Sequence, residues 1–145
     1  MDKVIDGVFY TNLKQIYNPK GDVFHAMKQS DVGFNGFGEV YFSSIHYGDI
    51  KPWKKHLHMT LNLVVPIGCI RFVIYDDREK SPTKGLFNEF TLSPEKYCRL
   101  TVPPGVWMAF QGVGRELNLL LNVANLEHDP NEMVRIDLEE IKYGW

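Results

Sequence analysis

Cysteine is scarce in this chain, with two residues, Cys69 and Cys98, among 145. Each lies in a strand-like apolar run, GCIRFVIY and KYCRLTV, so two reduced, buried thiols are expected rather than a disulfide. A large excess of charge of either sign is absent as well. Lys plus Arg number 16 against 18 Asp plus Glu, a net charge of −2, which gives nucleic-acid binding no electrostatic support. No apolar run approaches the ~20 residues needed to cross a bilayer. The opening MDKVIDGVFY carries acids where a signal peptide has a basic end and a continuous apolar core. These absences lead to the expectation of a cytoplasmic soluble protein.

Hydrophobic residues make up 44% of the chain and charged residues 23%, a globular balance that excludes disorder. The length suits one domain, 1–145, with a real core. Short β-rich runs recur: EVYFSSIHY, HMTLNLVV, IRFVIYD, LFNEFTL, YCRLTV and LNLLLNVAN. Turn-rich NPKGD, GDIKP, DDREKSPTKG, SPEK, PPG and GVGRE separate them. Strands at this spacing without intervening amphipathic helices predict an antiparallel sandwich or barrel. One short helix is expected in HDPNEMVR, with Asp129 as N-cap, Pro130 as first residue and Glu132 closing a capping box. The tail DLEEIKYGW then reads as a packed extension, with Tyr143 and Trp145 covering a surface.

His56, His58, Thr60 and Asn62 alternate with Leu57, Met59, Leu61 and Leu63. In a strand this gives one polar row and one apolar row. A solvent face usually carries Lys, Glu and Thr, so two histidines and an asparagine are read as lining a pocket. The His-x-His pair resembles half of the cupin metal motif. Asn62, however, stands near the place of its glutamate, and Trp107 and Met108 stand where its third histidine belongs. Two imidazoles without a carboxylate make a poor metal site, so metal-free acid–base chemistry is expected, without a cofactor.

The block YDDREKSPTKG resembles the dTDP-4-dehydrorhamnose 3,5-epimerase family. It carries Gly68, then Asp76-x-Arg78, then Ser81-Pro82-Thr83-x-Gly85. Pro103, Pro104, Gly105 and Phe110 match a later stretch, and Gly21 an early one, with Lys20 and His25 replacing an arginine and a glutamate. Val134, Asp137 and Trp145 match the closing pattern. The resemblance implies an all-β cupin, or jelly-roll, antiparallel barrel, usually a homodimer. It would bind a nucleotide-linked 4-keto-6-deoxy sugar and invert carbon 3, carbon 5 or both, in deoxysugar or surface-polysaccharide synthesis. A 4-keto group acidifies the neighbouring C–H bonds, so a base forms an enolate and an acid on the opposite face reprotonates it.

What the resemblance implies for the site is carried over residue by residue. In IKPWKKHLH, Lys51 stands for the family's arginine, and counting onward places Lys54 at the base position. His56, two residues on, is expected to be the base, with His58 as neighbour or substitute. His128 falls near the family's acidic tyrosine, and alternatively flanks a helix cap. The family's base-orienting aspartate has no match, which leaves Asp137 or another residue. A phosphate-binding lysine falls near Leu61, so Arg71 and Arg115 become candidate replacements beside Lys51, Lys54 and Asn62 as substrate-binding groups. An arginine within CIRFVIY either meets an anion in the pocket or lies exposed, and the pocket is favoured. Rival readings are a 3,4-ketoisomerase on the same substrates, a non-catalytic sugar-binding barrel and a metal-dependent cupin enzyme.

Overall fold

The β-rich runs pair into two five-stranded antiparallel sheets packed face to face, in a computed structural model that describes residues 3–145. In chain order the strands are β1 (Phe9–Asn12), β2 (Gln15–Ile16), β3 (Val23–Phe24), β4 (Glu39–Ser44), β5 (Ile50–His56) and β6 (Leu61–Ile67). They continue with β7 (Ile70–Tyr75), β8 (Phe87–Leu92), β9 (Cys98–Val102), β10 (Trp107–Gly112), β11 (Leu119–Ala124) and β12 (Met133–Arg135). The first sheet runs β1-β9-β6-β11-β4, the second runs β12-β5-β10-β7-β8, and β2-β3 form a separate hairpin.

Apolar side chains alternate inward from both sheets, as a half-buried pleat requires. Leu61, Leu63, Val65 and Leu100 from the first meet Ile70, Phe72, Ile74 and Met108 from the second, all buried. A second, smaller core lies on the outer side of the second sheet. There Trp53, Val73, Trp107 and Ala109 are covered by Ile136, Leu138, Ile141, Tyr143 and Trp145 of the tail. The Trp53 indole N–H donates to the Leu138 carbonyl at 3.1 Å, which satisfies its polar atom inside that apolar contact. Cys98 is buried and Cys69 half-buried, and both are free thiols.

Two expectations are corrected. The helix in HDPNEMVR shrinks to a single 3-10 turn, Pro130–Glu132, capped by the Asp129 side chain accepting from the Asn131 N–H. The chain then leaves helical geometry because Met133–Arg135 pair with His56–Lys54 as an edge strand. The polar row His56 to Asn62 is likewise not one strand. His56 ends β5, residues 57–60 form the connection, and a new strand begins at Leu61. β5 itself hides behind Pro52, which the sequence reading placed in a turn. Proline is tolerated there because β12 reaches only Lys54–His56, leaving the outer edge at Pro52 unpaired.

The family-like block is a structural staple. The Asp76 carboxylate is fully buried and accepts five hydrogen bonds, from Arg78 N–H, Nε and Nη2, Ser81 Oγ and Thr83 Oγ1. Burial works against the charge, but these donors outweigh it and hold the carboxyl well below the usual carboxylate range. Arg78 also donates to the Asp6 carbonyl at 2.7 Å and Thr83 Oγ1 accepts from the Asp6 N–H at 3.0 Å. The turn at Pro103-Pro104-Gly105 serves the site more directly. Gly105, at φ +90°, donates its N–H to the His56 carbonyl at 2.7 Å and so pins the end of β5.

Candidate active site

Between the sheets opens a cavity of about 200 Å³. β5 supplies one wall with Lys51, Pro52, Lys54 and His56, and β10 adds Met108 and Phe110. Strict alternation would turn Lys51 away from Lys54. The register against β10 shifts between Met108 and Phe110, which pair with Lys54 and Lys51, so a bulge brings both lysines to one face. The first sheet supplies the facing wall with Tyr41, Ser43, Leu61, Leu63, Leu120 and Asn122.

His56 is buried, and its Nδ1 is hydrogen-bonded to Glu132 Oε1. The other carboxylate oxygen accepts from the His58 and Met59 N–H groups, each at 3.1 Å. Burial opposes ionisation of Glu132, but the bonds from His56, His58 and Met59 prevail and hold it below the usual carboxylate range. Burial pushes His56 below the ordinary histidine range; Glu132 opposes this in part, while Lys54 and His128 add to it. A neutral imidazole beside a carboxylate must donate from Nδ1, which leaves Nε2 as a free lone pair. This is the electronic arrangement of an oriented general base.

Lys54 is half-buried, and burial, then Arg135 and Lys51, lower it from the usual lysine value against a smaller pull from Glu132. Lys51 donates to the Ser44 carbonyl at 2.8 Å and sits 5.7 Å from the Phe110 ring centre. Two cations beside one compensated acid favour an anionic oxygen in the cavity. Across from them the Asn122 amide donates to the Tyr41 hydroxyl at 3.1 Å.

The remaining candidates fall elsewhere. His58 is exposed in the connection after β5, where its backbone N–H rather than its ring serves Glu132. Asn62 points away from the cavity: it donates to the Gly33 carbonyl at 2.9 Å and accepts from Thr101 Oγ1 at 2.6 Å, because Leu61 and Leu63 occupy the inner face. Arg71 lies outside the barrel, paired with Glu89 at 2.5 Å and 5.3 Å from the Trp145 ring centre. Arg115 is exposed and stacks 4.8 Å over Tyr47. His128 is exposed outside the cavity lining, and Asp137 caps the turn Leu138–Glu140. The acid bonded to His56 is Glu132, which the sequence reading assigned to a cap. Tyr41 and Asn122 were missed as well, although Tyr41-x-Ser43 in EVYFSS and the lone polar residue in LLLNVA were their visible signals. Among the described residues no group of three or more His, Cys, Asp or Glu side chains is placed to hold a metal.

No family model matches the chain. The solved structure of a dTDP sugar isomerase from Desulfovibrio desulfuricans superposes with a TM-score of 0.89 at 38% identity, over 93% of this chain and 87% of that one. The chain belongs to the dTDP-sugar isomerases. It is also 35% identical to a Haloferax volcanii protein described as "Probable low-salt glycan biosynthesis epimerase Agl13". That match covers 63% of this chain and spans 62% of the relative's own length. The Bacillus subtilis spore coat polysaccharide biosynthesis protein SpsL is 23% identical over 98% of this chain and 97% of its own. The Mycobacterium tuberculosis rmlC epimerase shares the fold, with a TM-score of 0.85 at 15% identity over 93% of this chain and 71% of that one. Members of this family are isomerase-type enzymes, and the two-sheet barrel is theirs.

Proposed function

We propose that the chain is a metal-free nucleotide-sugar isomerase that inverts carbon 3, carbon 5 or both of an NDP-4-keto-6-deoxy sugar, in deoxysugar or surface-polysaccharide synthesis. The observation that carries this is the buried His56–Glu132 pair at the wall of a cavity that also holds Lys54. Glu132 fixes the tautomer, Nε2 removes the hydrogen beside the keto group, and the C–H electrons pass into the enolate. Lys54, two residues from His56 on the same wall, stabilises the developing oxyanion, and Lys51 meets the negative charge of the diphosphate. Leu61, Leu63, Leu120 and Phe110 offer an apolar seat for the C6 methyl of a 6-deoxy sugar.

The protein works as a cytoplasmic homodimer in this reading. Supporting it, Val40 and Phe42 of β4 and Val23 and Phe24 of β3 stand about half-exposed or more, apolar side chains that a second copy would cover. The test is incubation with dTDP-4-keto-6-deoxyhexoses and NMR of the products. A stereoisomer of the 4-keto sugar is expected. Tight binding with no conversion of any of them contradicts the reading and favours a sugar-binding barrel.

A further inference from the structure

Removing a hydrogen beside a ketone does not decide the product. Inversion needs a proton delivered to the face opposite the base, whereas return from the base's own side restores the starting configuration. The cavity lining contains five groups with a transferable proton: Tyr41, Ser43, Lys51, Lys54 and His56. The two lysines share β5 with His56 and therefore its side of the substrate. Only Tyr41 and Ser43 stand on the facing sheet, both from β4. A phenol is a far stronger acid than a serine alcohol.

The setting of Tyr41 matches that task. Its β4 position lies directly across from Asn122 in the β11 register. The Asn122 amide donates to the phenolic oxygen at 3.1 Å, so the phenol's own hydrogen is left free to be given to substrate. Asn122 is 3% exposed beside Leu61, Leu63 and Leu120 in that wall, and its Oδ1 has no partner among the described residues. A half-satisfied buried amide is costly, and packing alone does not explain it. Tyr41 itself remains 43% exposed, so solvent can restore its proton after each turnover.

We propose that Tyr41 is the proton donor on the face opposite His56 and that Asn122 is its positioning residue. The assignment rests on the isomerase reading above. His56 Nε2 takes the proton from the carbon beside the ketone, and the bonding pair forms the enolate. The enolate carbon then takes the Tyr41 hydrogen on its other face, leaving phenolate and imidazolium, which exchange protons with water. No electrons are gained or lost overall.

The test runs wild type, Tyr41→Phe and Asn122→Leu in D₂O with dTDP-4-keto-6-deoxyglucose, reading deuterium incorporation and product configuration separately. In Tyr41→Phe, incorporation stays within about tenfold of wild type while inversion falls by about 100-fold or more. Asn122→Leu lowers kcat for inversion by about tenfold and leaves KM and the exchange rate unchanged. Inversion at the wild-type rate in folded Tyr41→Phe overturns the proposal. Equal loss of exchange and inversion overturns it too, since Tyr41 then serves binding. A wild type that exchanges no hydrogen on this or related 4-keto sugars overturns the isomerase reading itself, and with it the proposal.

Discussion

Replacing Glu132 by glutamine isolates what the carboxylate does for His56. The two oxygens of Glu132 have separate partners: Oε2 accepts two backbone N–H groups at 3.1 Å each, and Oε1 faces His56 Nδ1. Glutamine has one carbonyl oxygen, and the two N–H groups hold it on their side. Its NH₂ then faces Nδ1, which must become an acceptor, so the ring proton moves to Nε2 and the base loses its lone pair. Folding survives, because both backbone donors keep a partner. Exchange of charge-assisted for neutral bonds costs about 1–2 kcal/mol. Catalysis falls by about 10³-fold, or roughly 4 kcal/mol of barrier, within the range for a general base in the wrong tautomer. The pH profile adds a second sign. Burial lowers His56 and Glu132 raises it, so without the carboxylate the acid limb of kcat/KM moves to lower pH. Urea unfolding with a pH–rate profile of the 4-keto-sugar reaction measures all three. Activity of Glu132→Gln within threefold of wild type, or an acid limb moved upward, refutes the reasoning.

In the wild type, the same argument places the acid limb of kcat/KM below the ordinary histidine value of about 6.5, with activity full above it, because His56 must be neutral to act. Lys54→Met is expected to lower kcat by about 100-fold with a smaller change in KM, measured by steady-state kinetics; an effect confined to KM assigns Lys54 to binding alone. Asp76→Asn is expected to destabilise the fold by about 3 kcal/mol in urea titrations while leaving nucleotide-sugar affinity unchanged. The folded Asp76 titrates below its unfolded value of about 3.9. Its contribution is therefore present above pH 4 and lost as pH falls further, and the variant lacks that acid-side dependence.

The barrel was legible because its strands obey the two-residue period and their turns carry Gly, Pro, Asn and Asp. The Asp76 block was legible as a family mark, yet its buried carboxylate knits a turn rather than doing chemistry. What stayed hidden depended on distance along the chain. Glu132 obeys the local grammar of a helix cap after Asp129 and Pro130, and nothing nearby reveals that its partner lies 76 residues earlier. Asn62 and His56 seemed to share a face because alternation was carried through residues 57–60, where the chain changes sheets. Arg71 was expected to need an anion, and it has one, Glu89 from the adjacent strand rather than a ligand. The bulge that gathers Lys51 and Lys54 on one wall is a property of pairing with β10, which no single-strand pattern can express.

The central claim is that His56, oriented by Glu132, removes a hydrogen beside a sugar ketone. Its most direct measurement is mass spectrometry of a dTDP-4-keto-6-deoxyhexose recovered from D₂O after incubation with wild type or His56→Asn. Wild type is expected to add at least one deuterium per sugar at a rate matching turnover, and His56→Asn to slow that incorporation by about 10³-fold while still binding the nucleotide. Incorporation by His56→Asn at the wild-type rate contradicts the account.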